Sequence, residues 1–145
     1  KTGITMSVIF DISNKRILLV GATGVLGRVY ASALAEQGAQ LVLADTDQTD
    51  VISYAQELGV LAKTIDVTSE KSVIDCVAYC AKQLGGLDAV INNAAAFVFS
   101  SIENTNKQLW ENVINIRCMR LILDLQLNFH IEIYSKYPCL VYKQG

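Results

Sequence analysis

Three glycines spaced by three, Gly21, Gly24 and Gly27, end a short apolar run and open a stretch of helical periodicity. The chemistry this spacing suits is anion binding without a charged side chain. A strand, a tight turn and a helix start would aim backbone N–H groups and the positive end of the helix dipole at a phosphate. A Cβ in the turn would hold the backbone away from that phosphate, so glycine belongs there. Placed between a strand and a helix, the pattern fits a dinucleotide's pyrophosphate, and Gly21, Thr23, Gly24, Val25, Leu26 and Gly27 are the residues assigned to it. A plain strand-to-helix turn is the other reading of the same glycines.

Asp45 lies eighteen residues beyond Gly27, at the end of the next apolar run. A carboxylate there can accept hydrogen bonds from both ribose hydroxyls of an adenosine half, and it would repel a 2′-phosphate. Thr46 and Asp47 follow it, and no Arg or Lys stands nearby in sequence, so NAD is expected rather than NADP. A solvated loop acid is the alternative. Asp66-Val67-Thr68 closes a third run; Asp66 would reach an adenine amino group and Val67 would lie against the ring. The same residues also suit a helix cap, since Thr68 or Ser69 leads into the next helix. Asn92 and Asn93, then Ala94 and Ala95, end a fourth run. Asn92 and Ala94 are assigned to the cofactor side, where an amide can brace sheet and ribose together; an Asn-Asn turn is the alternative.

The elements that position these residues follow from apolar patterning. Strands are expected at Arg16–Val20, Leu41–Ala44, Leu61–Ile65 and Leu87–Ile91. Helices are expected over Leu26–Gln37, Val51–Leu58 and from a cap at Ser69 to about Leu84. In the first helix Leu26, Val29, Tyr30, Ala33 and Leu34 share one stripe. In the third, Ser72, Val73, Val77, Cys80, Ala81 and Leu84 point toward the sheet. Strands apolar on both faces, alternating with helices through short loops, predict an α/β, doubly wound parallel sheet in the order 3-2-1-4, a Rossmann arrangement. Ligand should lie above the strand C-termini, where the order reverses between strands one and four.

Composition sets bounds. The chain has 145 residues, a formal net charge of −2 and 52% hydrophobic residues. Scattered Lys and Arg offer no face for nucleic acid. No apolar stretch approaches the ~18 residues that span a bilayer. Lys1–Met6 lacks the apolar core of a secretion signal, so a cytoplasmic setting is expected, with residues 1–5 a leader or tag ahead of Met6. Of Cys76, Cys80, Cys118 and Cys139, the first two lie one helical turn apart; no second pair or nearby His completes a metal site, and reduced, buried thiols are expected.

Together these residues carry a family resemblance. The approach Phe10-Asp11-Ile12-Ser13-Asn14-Lys15, the glycine motif, Asp45, Asp66-Val67-Thr68, Asn92-Asn93-Ala94-Ala95 and Trp110-x-x-Val113-Ile114-Asn115 resemble the short-chain dehydrogenase/reductase family, from about Met6 to Arg117. The resemblance implies an NAD-binding Rossmann domain over 6–117 and hydride transfer between nicotinamide and a small carbonyl or secondary alcohol. It also implies that Asn115 holds a water in a proton relay; family members assemble into homo-oligomers through the Asn115 helix and a later one, of which only the first is present here, so the oligomeric state stays open. The family often has Thr before the first glycine and Gly after Asn-Asn-Ala; here Val20 and Ala95 stand there. The glycine spacing is similar to the extended, sugar-modifying branch (epimerases and dehydratases), whereas Asp66-Val67 and Asn92-Asn93-Ala94-Ala95 resemble the ordinary branch.

Family members place a Ser and a Tyr-x-x-x-Lys pair beyond the position of Asn115, where Lys lowers the Tyr pKa and Tyr exchanges a proton with the substrate oxygen. The six tyrosines here are followed, four positions on, by Leu34, Leu58, Gln83, Pro138 and Val141, and by nothing after Tyr142. The chain as given is therefore expected to be inactive, a truncated oxidoreductase or a non-catalytic dinucleotide-binding module. Beyond Arg117 the pattern changes. Leu123, Leu125, Leu127, Phe129, Ile131 and Ile133 alternate with polar residues, the period of a strand with one wet face. The stretch 118–145 reads as an atypical tail that can add a strand beside strand four, with His130 on its polar side.

Overall fold

The computed structural model describes residues 11–95, 101–114, 131–134 and 141–144. Its elements are β1 (Arg16–Val20), α1 (Val25–Glu36), β2 (Gln40–Asp45), α2 (Gln48–Leu58), β3 (Leu61–Thr64), α3 (Glu70–Leu84), β4 (Ala89–Asn92), a 3-10 turn (Ile102–Asn104), α4 (Lys107–Ile114), β5 (Ile131–Tyr134) and β6 (Val141–Gln144).

The sheet runs β3-β2-β1-β4-β6-β5. The first four strands are parallel, with Leu19 of β1 level with Leu43 of β2 and Ile91 of β4. The order 3-2-1-4 is the one expected: right-handed crossovers carry the chain outward from β1 to β2 and β3, and the α3 crossover then brings it back to the other side of β1. Side chains alternate along β1 and β2. Leu18, Val20, Val42 and Ala44 pack with Val73, Cys76, Val77 and Cys80 of α3 on one face. Ile17, Leu19, Leu41 and Leu43 pack with Ala31 of α1 and Val51, Tyr54 and Ala55 of α2 on the other. Two-sided burial explains why these strands read as continuous apolar runs. Cys76 and Cys80 are buried free thiols in the α3 layer. Burial and a hydrogen bond to Cys76 push the Cys80 thiol far above its ordinary range.

Several elements differ from their sequence expectation. α2 begins at Gln48, ahead of Val51, because the Asp47 side chain caps it by accepting from the Asp50 N–H at 3.0 Å. β4 begins at Ala89; Leu87 is buried but precedes the strand. Asp88 between them is held to β1, its carboxylate accepting from the Arg16 backbone and guanidinium at 2.6–2.9 Å. Along α1 the apolar stripe is not the inward face. Leu26 and Val29 are 57% and 60% exposed, while Gly27 and Ala31 are buried. At Gly27 α1 lies so close to the β1–α1 turn that a side chain has no room, and farther along Leu34 packs half-buried against the core. On α3, Cys76 joins the inner face, and Ser72 and Ala81 sit at its flank, half-buried.

A segment of the tail lies beside β4. Val141–Gln144 pairs antiparallel with β4, and Ile131–Tyr134, the end of the alternating run, lies one strand farther out. The rest of that run, with His130, and Asn115, Met6, Cys118 and Cys139, lies outside the described residues. Among the described residues no helix is long and apolar enough to cross a membrane.

Candidate cofactor site

The C-terminal ends of β1, β2, β3 and β4 open into a crevice of about 620 Å³. Its floor is the β1–α1 turn. Gly21 has φ +75°, and a Cβ there would lie 2.7 Å from the Ala94 nitrogen and 2.8 Å from the Asn93 carbonyl carbon. The turn is tied down from both sides: Gly21 N–H donates to the Ala44 carbonyl at 2.8 Å, and Asn93 Nδ2 donates to the Gly21 carbonyl at 3.0 Å. Gly27 lies behind the turn. A Cβ on it would collide with the Gly21 carbonyl oxygen and the Ala22 backbone, so glycine is what lets α1 start against the turn.

The helix starts differ in a telling way. α2 is capped by Asp47 and carries Asp50 in its first turn; α3 is capped by Ser69 and carries Glu70. α1 starts at Gly24 with no side-chain cap and no acid in its first turn. The leading N–H groups of a helix need partners. Here Gly24, Val25 and Leu26 line the crevice, so that end of the dipole faces the open volume.

Asp45 stands at the rim of this volume, at the end of β2. One carboxylate oxygen accepts from Thr23 N–H at 3.0 Å and Thr23 Oγ1 at 2.8 Å; the other accepts from Thr46 N–H at 2.8 Å. A carboxylate has about four acceptor positions; the fourth is taken only by a long contact from Thr46 Oγ1 at 3.5 Å, the weakest of the set and the one a ligand hydroxyl would displace. Asp66 and Val67 form the far wall. Asp66 accepts from Thr68 Oγ1 at 2.7 Å and Thr68 N–H at 2.9 Å, and these bonds hold its carboxyl below the usual carboxylate range. Asp66 thus lines the crevice and also forms the turn before α3.

Of the assigned residues, Gly21, Thr23, Gly24, Val25, Leu26, Asp45, Asp66, Val67 and Ala94 line one crevice. Gly27 lies behind the wall, and Asn92 is not part of it; its Oδ1 accepts from Ala94 N–H at 3.1 Å and so shapes the loop. Asn93 is the amide that faces the crevice. Thr46, Ile65 and Thr68 line it without having been assigned. Thr46 and Thr68 each follow an assigned acid by one or two positions, and that adjacency was the available signal.

The fold and the glycine turn agree with the comparison to known proteins. Residues 15–127 match the family model described as short chain dehydrogenase, and the chain belongs to that family. It is 32% identical over 107 residues to galactitol 2-dehydrogenase of Agrobacterium fabrum, covering 72% of this chain and 42% of that protein. It is 35% identical over 113 residues to 3-hydroxyacyl-CoA dehydrogenase type-2 of Drosophila melanogaster, covering 72% of this chain and 44% of that protein. A short chain dehydrogenase from Mycobacterium smegmatis shares the fold, with TM-score 0.76 and 23% identity over 83% of this chain and 53% of that one. A short-chain dehydrogenase/reductase from Brucella melitensis superposes with TM-score 0.74 at 26% identity, over 80% of this chain and 50% of that one. The chain spans about half the length of the curated relatives it matches.

Proposed function

We propose that the chain is the dinucleotide-binding portion of an NAD-dependent short-chain oxidoreductase. In the whole protein, hydride would pass between nicotinamide and a carbonyl or secondary alcohol. The observation that carries this reading is the uncapped start of α1 beside Gly21 and Gly24, in the crevice that Asp45 overlooks. The Gly24–Leu26 turn would hold the diphosphate, Asp45 the adenosine ribose, and Asp66 with Val67 the adenine. Nicotinamide, when bound, supplies the hydride acceptor. Asn115, by resemblance, would hold a water of the proton relay. Asp45 favours NAD over NADP, because a 2′-phosphate would meet a carboxylate held in place by Thr23 and Thr46. A small alcohol or carbonyl would be the substrate, and a cytoplasmic setting is in keeping with the free thiols of Cys76 and Cys80.

The 145-residue chain on its own would bind NAD without turning it over, since it contains no Tyr-x-x-x-Lys. General acid–base help is worth about 10²–10⁴-fold in rate. The same observation favours a second reading, a dinucleotide-binding module without catalysis. Thermal-shift titration tests the binding claim. NAD at one hundred times its Kd should add about 2.7 kcal/mol of stability, and NADP at the same concentration clearly less. No shift with either nucleotide would overturn the reading. NADH formation from NAD and secondary alcohols by this chain would overturn the claim that it is inactive alone.

A further inference from the structure

Around Asp45 the structure shows a closed ring of contacts. Thr23 donates twice to Asp45. The Thr23 carbonyl in turn accepts from Arg28 Nε at 3.0 Å. The same guanidinium donates to Asp50 Oδ1 at 2.6 Å and lies 4.4 Å from the centre of the Tyr54 ring. Tyr54, buried beneath it, donates its hydroxyl to the Arg28 carbonyl at 2.8 Å. Asp50 is fixed by the Asp47 cap, two residues beyond Asp45, and so the ring closes.

We propose that Arg28 is a positioning residue for ribose recognition: through the Thr23 carbonyl it sets the orientation in which Thr23 holds Asp45. The inference rests on the reading that Asp45 grips the adenosine ribose. Arg28 does not line the crevice and has no part in touching the ligand. Its rigid fork makes two directed bonds at once, to a carbonyl on the glycine turn and to a carboxylate on α2, which a single ammonium cannot match. Without it, Thr23 keeps its side chain but loses the restraint on its peptide plane, and that plane is continuous with the turn that aims Thr23 at Asp45. Two helices packed on the same face of the sheet, α1 and α2, are thereby tied to one carboxylate. Precision of this kind in the supporting residues decides how much a recognition group delivers.

The test uses the whole 145-residue chain and two probes, ADP and 2′-deoxy-ADP, titrated by calorimetry. The ratio of their Kd values reports what the ribose hydroxyl gains from Asp45 and is blind to a general weakening of the fold. The wild type should bind ADP about tenfold tighter, the worth of one hydrogen bond to a charged group. In Arg28→Gln the ratio should fall to about two or less, as it should in Asp45→Ala. Arg28→Lys, which keeps the charge beside Asp50 but not the second bond, should also fall well below the wild-type ratio, and it decides the matter if Arg28→Gln does not fold. Equal weakening of both probes by either Arg28 variant, with the ratio unchanged, would mean a merely structural role and overturn the inference. If Asp45→Ala erases the ratio while both Arg28 variants keep it, the inference fails and the ribose reading stands. If the wild type binds no ADP, or shows no preference, the ribose reading fails and takes the inference with it.

Discussion

On the proposed reading, the Asp45 carboxylate is both structural and selective. It accepts four hydrogen bonds from Thr23 and Thr46, the one from Thr46 Oγ1 long at 3.5 Å. These hold it still, so a ribose would find acceptors already oriented rather than acceptors that must be ordered on binding. Asp45→Ala should weaken NAD by about tenfold or more and NADP far less, because NADP also loses a repulsion. Parallel calorimetric titrations check this, and equal loss for both nucleotides would count against it. Gly27 makes the opposite kind of contribution, through absence of atoms. Gly27→Ala pushes a methyl into the Gly21 carbonyl and the Ala22 backbone. The expected cost is about 1–3 kcal/mol of stability, with the β1–α1 turn displaced and NAD affinity reduced. Thermal melting and nucleotide titration of the same sample read both effects.

Among the elements, β1 is the one on which the site depends. Its C-terminus delivers Gly21, and its N-terminus is fixed by the Arg16–Asp88 pair, a two-pronged contact that also joins β1 to β4. The Arg16 guanidinium holds the Asp88 carboxyl down to about 2. A carboxyl whose pKa is depressed by folding stabilises the native state above its unfolded value, near 3.8, and that contribution is lost as pH falls toward 2. Asp88→Asn should therefore lower Tm by roughly 5 °C at neutral pH, with the gap to wild type closing between about pH 4 and pH 2. Melting curves across that range check it, and a gap independent of pH would refute the ion pair's contribution. The helix starts divide by role at this scale. Caps at Asp47 and Ser69 make α2 and α3 self-sufficient, whereas α1 begins on glycine, uncapped, with its start on the crevice.

For the whole molecule, β1 with β2 divides two apolar layers, and the fold depends on both being dry. Leu18 and Leu19 are each fully buried, on opposite faces of the same strand. Leu18→Ala should cost about 2–5 kcal/mol, a large part of the 5–15 kcal/mol typical of a domain. Chemical denaturation should show it as a lower midpoint at unchanged slope. On the far side, β4 is not an edge: β6 pairs antiparallel with it and β5 lies outside that. The pairing satisfies the row of N–H and C=O groups along β4 and moves the edge of the sheet out to β5.

The strand-turn-helix character of residues 16–36, the parallel order of four strands and most of the crevice wall were legible in the amino-acid sequence. Those features depend on local spacing, and local spacing survives in one dimension: glycines three apart, apolar runs of strand length, an acid at the end of a run. What tertiary structure alone decided is which neighbours in space share a site. Arg28 and Asp50 belong to the surroundings of Asp45 although they stand 17 residues before it and 5 after it, since α1 and α2 pack on the same face. Asn93 rather than Asn92 faces the crevice, because the pleat and the Ala94 turn choose between two identical amides. The buried positions of α1 are Gly27 and Ala31, with Leu34 packed half-buried beside them, while Val25, Leu26 and Val29 stay exposed; at Gly27 the closeness of helix to turn outweighs hydrophobicity. Periodicity tells how a segment can be buried; only packing tells against what.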